Sequence, residues 1–289
     1  MKRTKLILSL LAVPFLLNSC GDSANDKATE NAPAANAAES TPAAKPENAV
    51  KAPEENVFYQ QLVESFEKEE ESIFRAGYMG DTAVMDTLKD EDSLVIYSRG
   101  AALAGRTELV QQGIEKGAKP NRIINGAARG GHTELVLLLL EKGADASIGA
   151  GSAAMGGHTE LVKLLLEKGA DATDAVYSAA LGGHTELVLL LLDKNAAIGD
   201  ALNGAVYAGH VDLVKLLLEK GADPNKGMGT AIKNGHVEIL KLLLANPNID
   251  VNHRYSSSAP TPLDIAEKNG QQECAELIRA AGGKKSSEL

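Results

Sequence analysis

Five histidines recur at a constant spacing and could, by residue type, ligate a metal. They lie 26 residues apart, each directly after a glycine, at His132, His158, His184, His210 and His236. A zinc ion shared by two imidazoles needs each ring nitrogen at about 2 Å. Successive units of a stacked helical array lie about 8–10 Å apart, so neighbouring rings cannot reach one ion. We therefore predict no metal site, and we expect each histidine to be a turn residue bonded to local backbone.

A glycine-rich segment could bind a dinucleotide if its context were right. Residues 149–154 read GAGSAA and match the pattern GxGxxA. The phosphate-binding fingerprint requires a strand before it, whereas this segment follows a helix end and belongs to the next helix. The sequence contains no nucleophile motif and no phosphate-binding loop that stands out from the repeat pattern. The sequence therefore predicts no catalytic residue, no cofactor and no enzymatic activity.

The 26-residue period identifies the elements that position these histidines, because a period between 20 and 50 residues indicates a stacked array. Each unit reads as a short first helix, a turn ending in Gly-His, and a longer apolar second helix. Asp174 and Asp200 are candidate N-caps of first helices. One aligned slot holds alanine in all eight units, from Ala76 to Ala266, where we expect two helices to approach closely. A left-handed residue is expected to end each second helix. That slot holds Gly117, Gly143, Gly169, Asn195 and Gly221.

These units resemble the ankyrin repeat family. Residues 209–225, GHVDLVKLLLEKGADPN, are similar to the second half of an ankyrin unit, and residues 261–266, TPLDIA, are similar to its opening. The resemblance covers roughly residues 66–282. It implies an all-α solenoid of about seven to eight two-helix repeats, whose concave face binds proteins.

The repeat length departs from the family and changes the expected connections. Ankyrin units commonly have 33 residues, so units of 26 imply that most of the projecting fingers are shortened to turns. The spacing rises to 35 between His236 and Gln271, and a finger is expected to return at 248–260. Thr261 is then the expected N-cap, Pro262 the first helical residue and Asp264 the capping-box acid.

The residues that differ between units are the candidates for binding. Two slots of the first helix change identity while the core slots repeat, and in ankyrin-like stacks this face lines the concave groove. Tyrosine, methionine and arginine are enriched at protein interfaces. The predicted partner-binding residues are Arg99, Leu103, Arg129, Met155, Tyr177, Leu181, Tyr207 and Lys233. The alternative stays open that the Leu and Met side chains merely pack against the neighbouring helix.

The N-terminal segment predicts export and a lipid anchor. Residues 1–19 combine a basic start with a short apolar stretch, as signal peptides do. Leu17, Asn18, Ser19 and Cys20 resemble the lipobox of bacterial lipoproteins, which implies lipid attachment at Cys20; an ordinary secretory signal is the alternative. We predict a signal peptide at 1–19, the lipidated cysteine and a disordered tether at 20–56, the solenoid at 57–282 and a flexible tail at 283–289.

The charge of the chain restricts its partners. The net charge is −10, and removal of Lys2, Arg3 and Lys5 with the signal peptide makes it −13. This excess of acid argues against nucleic acid, whose phosphates need clustered Lys and Arg, and it suits a basic protein partner. We predict a non-enzymatic scaffold or adaptor, anchored at the bacterial envelope and facing the periplasm or the exterior. The alternatives are an inhibitor or immunity protein for an envelope toxin or hydrolase, a small-molecule or enzymatic groove, and a structural spacer.

Overall fold

The computed structural model describes residues 59, 60, 63, 66–254, 256 and 258–289. The chain divides into two compact units, residues 1–65 and 66–289. In the first unit the described residues Tyr59, Gln60 and Val63 are helical. The predicted signal peptide at 1–19, Cys20 and the tether at 20–56 lie outside the described residues, so these remain predictions.

The second unit is a row of eight helix pairs, and its described residues form no strand. Its N-terminal half contains α1 (Lys68–Met79), α2 (Thr82–Thr87), α3 (Glu91–Leu103), α4 (Thr107–Glu115), α5 (Pro120–Arg129), α6 (Thr133–Glu141), α7 (Ala146–Met155) and α8 (Thr159–Glu167). Its C-terminal half contains α9 (Ala172–Leu181), α10 (Thr185–Asp193), α11 (Ile198–Ala208), α12 (Val211–Glu219), α13 (Asn225–Asn234), α14 (Val237–Leu244), α15 (Pro262–Lys268) and α16 (Gln272–Ala280). Each odd-numbered first helix packs against the first helices of the adjacent units. The predicted all-α solenoid with shortened fingers is confirmed.

First helices begin earlier than the sequence pattern predicted. The Asp171 carboxylate accepts a hydrogen bond from the backbone N–H of Thr173 at 2.8 Å and is the N-cap of α9. The prediction of Asp174 and Asp200 as N-caps is wrong, because both lie in the first turn of their helices. Acids in a first turn interact favourably with the helix dipole, so they suit that place as well as a cap. The first helices α9 and α11 consequently have 10 and 11 residues, and the second helices α10 and α12 have 9 each.

Second helices end at a left-handed residue, as predicted. Gly143 and Gly169 have φ of 90° and 91°, and Asn195 adopts the same region with φ of 66°. The N–H of Ala144 donates to Leu139 O at 2.9 Å and closes the end of α6. Residues 142–145 then connect α6 directly to α7, which leaves no room for a projecting finger.

One continuous apolar core runs from the second helix pair to the last and fixes the spacing of first helices. The aligned alanines from Ala101 to Ala266 are fully buried, and so are apolar second-helix residues such as Leu139 and Leu165. Two first helices approach so closely at Gly126 that a Cβ there would lie 2.6 Å from Arg99 O. Large side chains are therefore excluded from this side of the first helices, and variation is confined to the opposite side.

The C-terminal unit closes with a capped helix and an ordered tail. Thr261 Oγ1 accepts from the N–H of Asp264 at 3.2 Å, and Asp264 Oδ2 accepts from the N–H of Thr261 at 3.1 Å, so the predicted capping box is confirmed. Residues 283–289 were predicted to be a flexible tail, but the structure holds them against α15. The N–H of Ser286 donates to Asp264 Oδ2 at 3.0 Å, and Lys285 Nζ lies 2.7 Å from Glu267 Oε2. Hydrogen bonds from Ser286 and then from Thr261 outweigh burial and lower the pKa of Asp264 to about 2.

The opposite end of the row is aromatic. The rings of Phe66 and Phe74 lie 5.5 Å apart, edge to face, and the hydroxyl of Tyr97 donates to Asp81 O at 2.9 Å. The predicted finger at 248–260 contains turns and bends, and its described residues contain no strand. Across the described part of the chain, every helix is too short or too polar to cross a bilayer.

Candidate functional site

The five repeated histidines form a ladder of hydrogen bonds between units. The Nε2 atom of each ring lies 2.9 to 3.2 Å from the backbone carbonyl oxygen of the residue 29 positions earlier. A carbonyl oxygen can only accept, so Nε2 carries the proton and donates. The prediction of a turn residue bonded to backbone is therefore confirmed, with one correction: the acceptor belongs to the preceding unit.

Arg106 extends this ladder toward the N-terminus. It occupies the histidine slot of its own unit, and its Nε donates to Tyr78 O at 2.8 Å. The pattern of the sequence marks this unit as degenerate, yet the side chain makes the same type of bond. The only signal that could have revealed it is that Arg, like His, carries a donor that can reach a carbonyl.

The ring of His132 is enclosed by glycines. A Cβ on Gly105 or Gly130 would lie 2.6 or 2.7 Å from the His132 ring, so the two turns leave room only for glycine. Burial lowers the pKa of His132, although its bond to Leu103 O acts in the opposite direction. Within the described residues, no group of three His, Cys, Asp or Glu side chains could hold a metal ion. The ladder is thus a structural device.

The ladder fixes the residues that vary between units. Its acceptors are the carbonyls of Tyr78, Leu103, Arg129, Met155, Leu181 and Tyr207. Apart from Tyr78, these are predicted binding residues, and those from Leu103 to Leu181 each end a first helix. Because each carbonyl is held by the next unit, the backbone beneath these side chains is rigid. A rigid scaffold under variable side chains is what a binding surface requires.

We call the variable side of the first helices the first-helix face. It is formed by Arg99, Asn125, Arg129, Met155, Tyr177, Leu181, Tyr207 and Lys233, all of them at least partly accessible. Leu103 does not belong to it, because only 3% of this residue is exposed. The same slot holds the longer side chains Tyr78 in the preceding unit and Arg129 in the following unit. The prediction that Leu103 offers contact surface to a partner is corrected accordingly.

The middle of the first-helix face is apolar. Met155, Tyr177, Leu181 and Tyr207 are half-buried. Burial and then the electrostatic effect of Tyr207 raise the pKa of Tyr177, and the two tyrosines lie on the adjacent first helices α9 and α11. Ile148 adds to this centre: it is 41% exposed and lies seven residues before Met155, two turns along the same side of α7. Ile148 was not among the predicted binding residues, although its helical spacing from Met155 could have indicated it.

The N-terminal end of the first-helix face is basic. Arg99 belongs to α3, and burial, followed by the charges of Arg129 and Arg122, lowers its pKa to about 10. Burial also lowers the pKa of Arg129 to about 10, and its guanidinium donates to the Met155 sulfur. Arg122 lies 2.7 Å from Asp92 Oδ1, so its charge is balanced. At the other end Lys233 is exposed. Positive charge therefore flanks the apolar centre on both sides.

The depressions and the perturbed carboxylates of the structure lie outside the first-helix face. One open depression is lined by Lys163, Leu166 and Lys194 and another by Leu218 and Pro247, so both lie at the ends of second helices. Neither is lined by a residue of the first-helix face. Hydrogen bonds at helix N-termini favour the charged forms of Asp90 and Asp171 and lower their pKa values, and hydrogen bonds from Ser286 and then from Thr261 do the same for Asp264. These shifts are explained by the hydrogen bonds and need no catalytic role.

Comparison with known proteins identifies the repeats. A family model described as ankyrin repeats, in three copies, matches residues 150–228 and 202–287. Residues 150–287 are ankyrin repeats. It is also similar to the crystal structure of the human ASB11 ankyrin repeat domain, with 26% identity, 63% of this chain and 96% of that chain covered, and a TM-score of 0.45. A search of curated proteins finds no match. Ankyrin repeats are generally non-enzymatic interaction domains, which supports a protein-binding scaffold role for this protein.

Proposed function

We propose that this protein binds another protein on its first-helix face. The observation that carries the proposal is the apolar centre, in which Tyr177 and Tyr207 lie on adjacent first helices whose backbone is held by the histidine ladder. Tyrosines bury a large area at little cost in conformational entropy, and they are frequent hot spots of interfaces. A partner that covers them would also cover Met155 and Leu181.

We further propose that the protein is a scaffold or adaptor held at the bacterial envelope by a lipid on Cys20. The support is the sequence alone: an apolar segment after a basic start, followed by Leu17, Asn18, Ser19 and Cys20. Residues 20–56 are rich in Ala, Asn, Pro and Glu, and as a coil they would span roughly 30–35 Å on average. Such a tether would leave the first-helix face free to engage a partner on the periplasmic or exterior side of the membrane.

The binding proposal is tested by affinity capture from the native envelope with the full chain. The double variant Tyr177→Ala, Tyr207→Ala should capture the partner at least tenfold less efficiently than wild type. Its matched control is Leu137→Ala, Leu189→Ala, two half-buried apolar residues of second helices, which should leave capture unchanged. Thermal unfolding of both variants separates lost contacts from lost folding. Equal capture by wild type and the tyrosine variant, with both folded, would refute the proposal.

The anchor proposal has its own test. Cys20→Ser should abolish incorporation of labelled fatty acid and move the protein from the membrane fraction to the soluble fraction. Cys274→Ser is the matched control, since Cys274 is buried and should have no effect on fractionation. A Cys20→Ser protein that stays in the membrane fraction contradicts the anchor, and it leaves the binding proposal unaffected.

A further inference from the structure

Arg99 is a cation that the described residues leave without a partner. Its Nε is buried and has no hydrogen-bond acceptor, and the described ion pairs do not include it. The neighbouring arginines differ, because Arg106 donates to Tyr78 O at 2.8 Å and Arg122 lies 2.7 Å from Asp92 Oδ1. Asn125 occupies the aligned slot of the next first helix, and its Oδ1 is also buried without a partner. Two adjacent slots thus hold unsatisfied polar groups.

The buried Nε of Arg99 is a donor without an acceptor, whereas the residue as a whole is partly accessible, so an incoming group can reach the guanidinium. A buried hydrogen-bond donor without an acceptor is unfavourable, so its retention needs a reason. The charges of Arg129 and Arg122 add repulsion, and they lower the pKa of Arg99 only to about 10, so the group stays charged at neutral pH. The missing element is an acceptor with negative charge. The planar guanidinium fork binds a carboxylate through two parallel hydrogen bonds, and a rotated Asn125 amide can donate a third.

We propose that Arg99 and Asn125 form a recognition site for a carboxylate at the N-terminal end of the first-helix face, and that its occupant is an acidic side chain of the protein partner. The inference rests on the proposed function and names the chemistry of the partner at one point of the contact. Charge complementarity carries it, because this end of the face is locally basic although the chain as a whole has a net charge of −10. The partner therefore presents an acidic residue here, beside an apolar segment that covers Tyr177 and Tyr207.

The site is tested with two labelled peptides and the full chain. The probe is a twelve-residue peptide of alternating Glu and Leu with an amidated C-terminus, and its control has Gln in place of Glu. Fluorescence anisotropy should show at least tenfold tighter binding of the Glu peptide to wild type. Arg99→Met should reduce this ratio to less than threefold, and Arg99→Lys should restore it only in part, because lysine keeps the charge but loses the fork. Lys142→Met removes the same charge from an exposed position at the end of the second helix α6, outside the first-helix face, and should preserve most of the ratio.

A second measurement separates recognition from a structural role. If Arg99 is retained for a ligand, Arg99→Met removes an uncompensated charge, and the melting temperature should stay equal or rise. A fall in the melting temperature, equal binding of the two peptides to wild type, or an unchanged ratio in Arg99→Met would overturn the inference. Partner capture that depends on Tyr177 and Tyr207 but not on Arg99 leaves the proposed function standing without this site. Selective peptide binding without partner capture leaves the site standing without the proposed function.

Discussion

Removal of one ladder histidine should destabilise the repeat domain by a magnitude that the structure allows us to work out. His184 donates from Nε2 to Met155 O at 3.0 Å, and its ring fills the space between two turns, where a Cβ on Gly157 or Gly182 would lie 2.6 Å from it. His184→Ala loses a net hydrogen-bond contribution of about 1 kcal/mol and exposes a helix-end carbonyl. The emptied space costs a similar amount, so we expect about 1–3 kcal/mol in total.

Urea unfolding followed by circular dichroism measures this loss, and a domain of this size should also melt about 2–4 °C lower for each kcal/mol. His184→Gln is the matched variant, because Gln271 occupies the same slot in the last unit and an amide can donate to the carbonyl. It should recover about half of the loss. Lys168→Ala, at an exposed position in the preceding unit, should change stability by less than about 0.5 kcal/mol. A His184→Ala protein as stable as the Lys168→Ala protein would refute the ladder as an energetic link between units.

Three further predictions concern the same framework. Gly126→Ala should destabilise the repeat domain by about 1–3 kcal/mol, because its Cβ would lie 2.6 Å from Arg99 O. At Gly229 an added Cβ would have no neighbour closer than 4.0 Å, so Gly229→Ala should stabilise α13 by about 0.5–1 kcal/mol. The urea midpoints of the two variants test this difference. Arg106→Ala should lower the melting temperature and Arg106→His should restore it, because either side chain can donate to Tyr78 O. The lowered pKa of His132 means that the unfolded chain binds more protons as pH falls below about 6.5, so stability should decline there. Between pH 7.5 and 5, the melting temperature of His132→Gln should fall less with decreasing pH than that of wild type. An equal fall in the two proteins would contradict this.

The repeat architecture was predictable because one physical constraint recurs in every unit. The slot from Ala101 to Ala266 stays small where first helices touch, and Asn195 is the one residue other than glycine that has positive φ among the described residues. Such constraints are local, so they appear in the sequence as the same residue type at the same position of each repeat. The same regularity explains why the histidines were correctly assigned to turns.

The parts that could not be predicted depend on contacts between units. Leu103 and Met155 occupy the same slot, yet Leu103 is buried and Met155 is half-buried, because exposure depends on the side chains of neighbouring units. The bond from Arg106 to Tyr78 O spans 28 residues and breaks the sequence pattern that would have revealed it. The tail at 283–289 has no periodicity in its sequence. Its contact with the last unit, through the hydrogen bond from Ser286 to Asp264, is visible only in the three-dimensional structure.

The central claim is that a partner covers the first-helix face, and site-specific photo-crosslinking in the native cells tests it most directly. A photoreactive amino acid at position 207, in place of Tyr207, should give a discrete adduct of higher mass upon irradiation. The same amino acid in place of Leu189, on the second helix α10, should give none. An adduct from position 189 and none from position 207 would place the contact on the opposite side of the repeats and contradict the account.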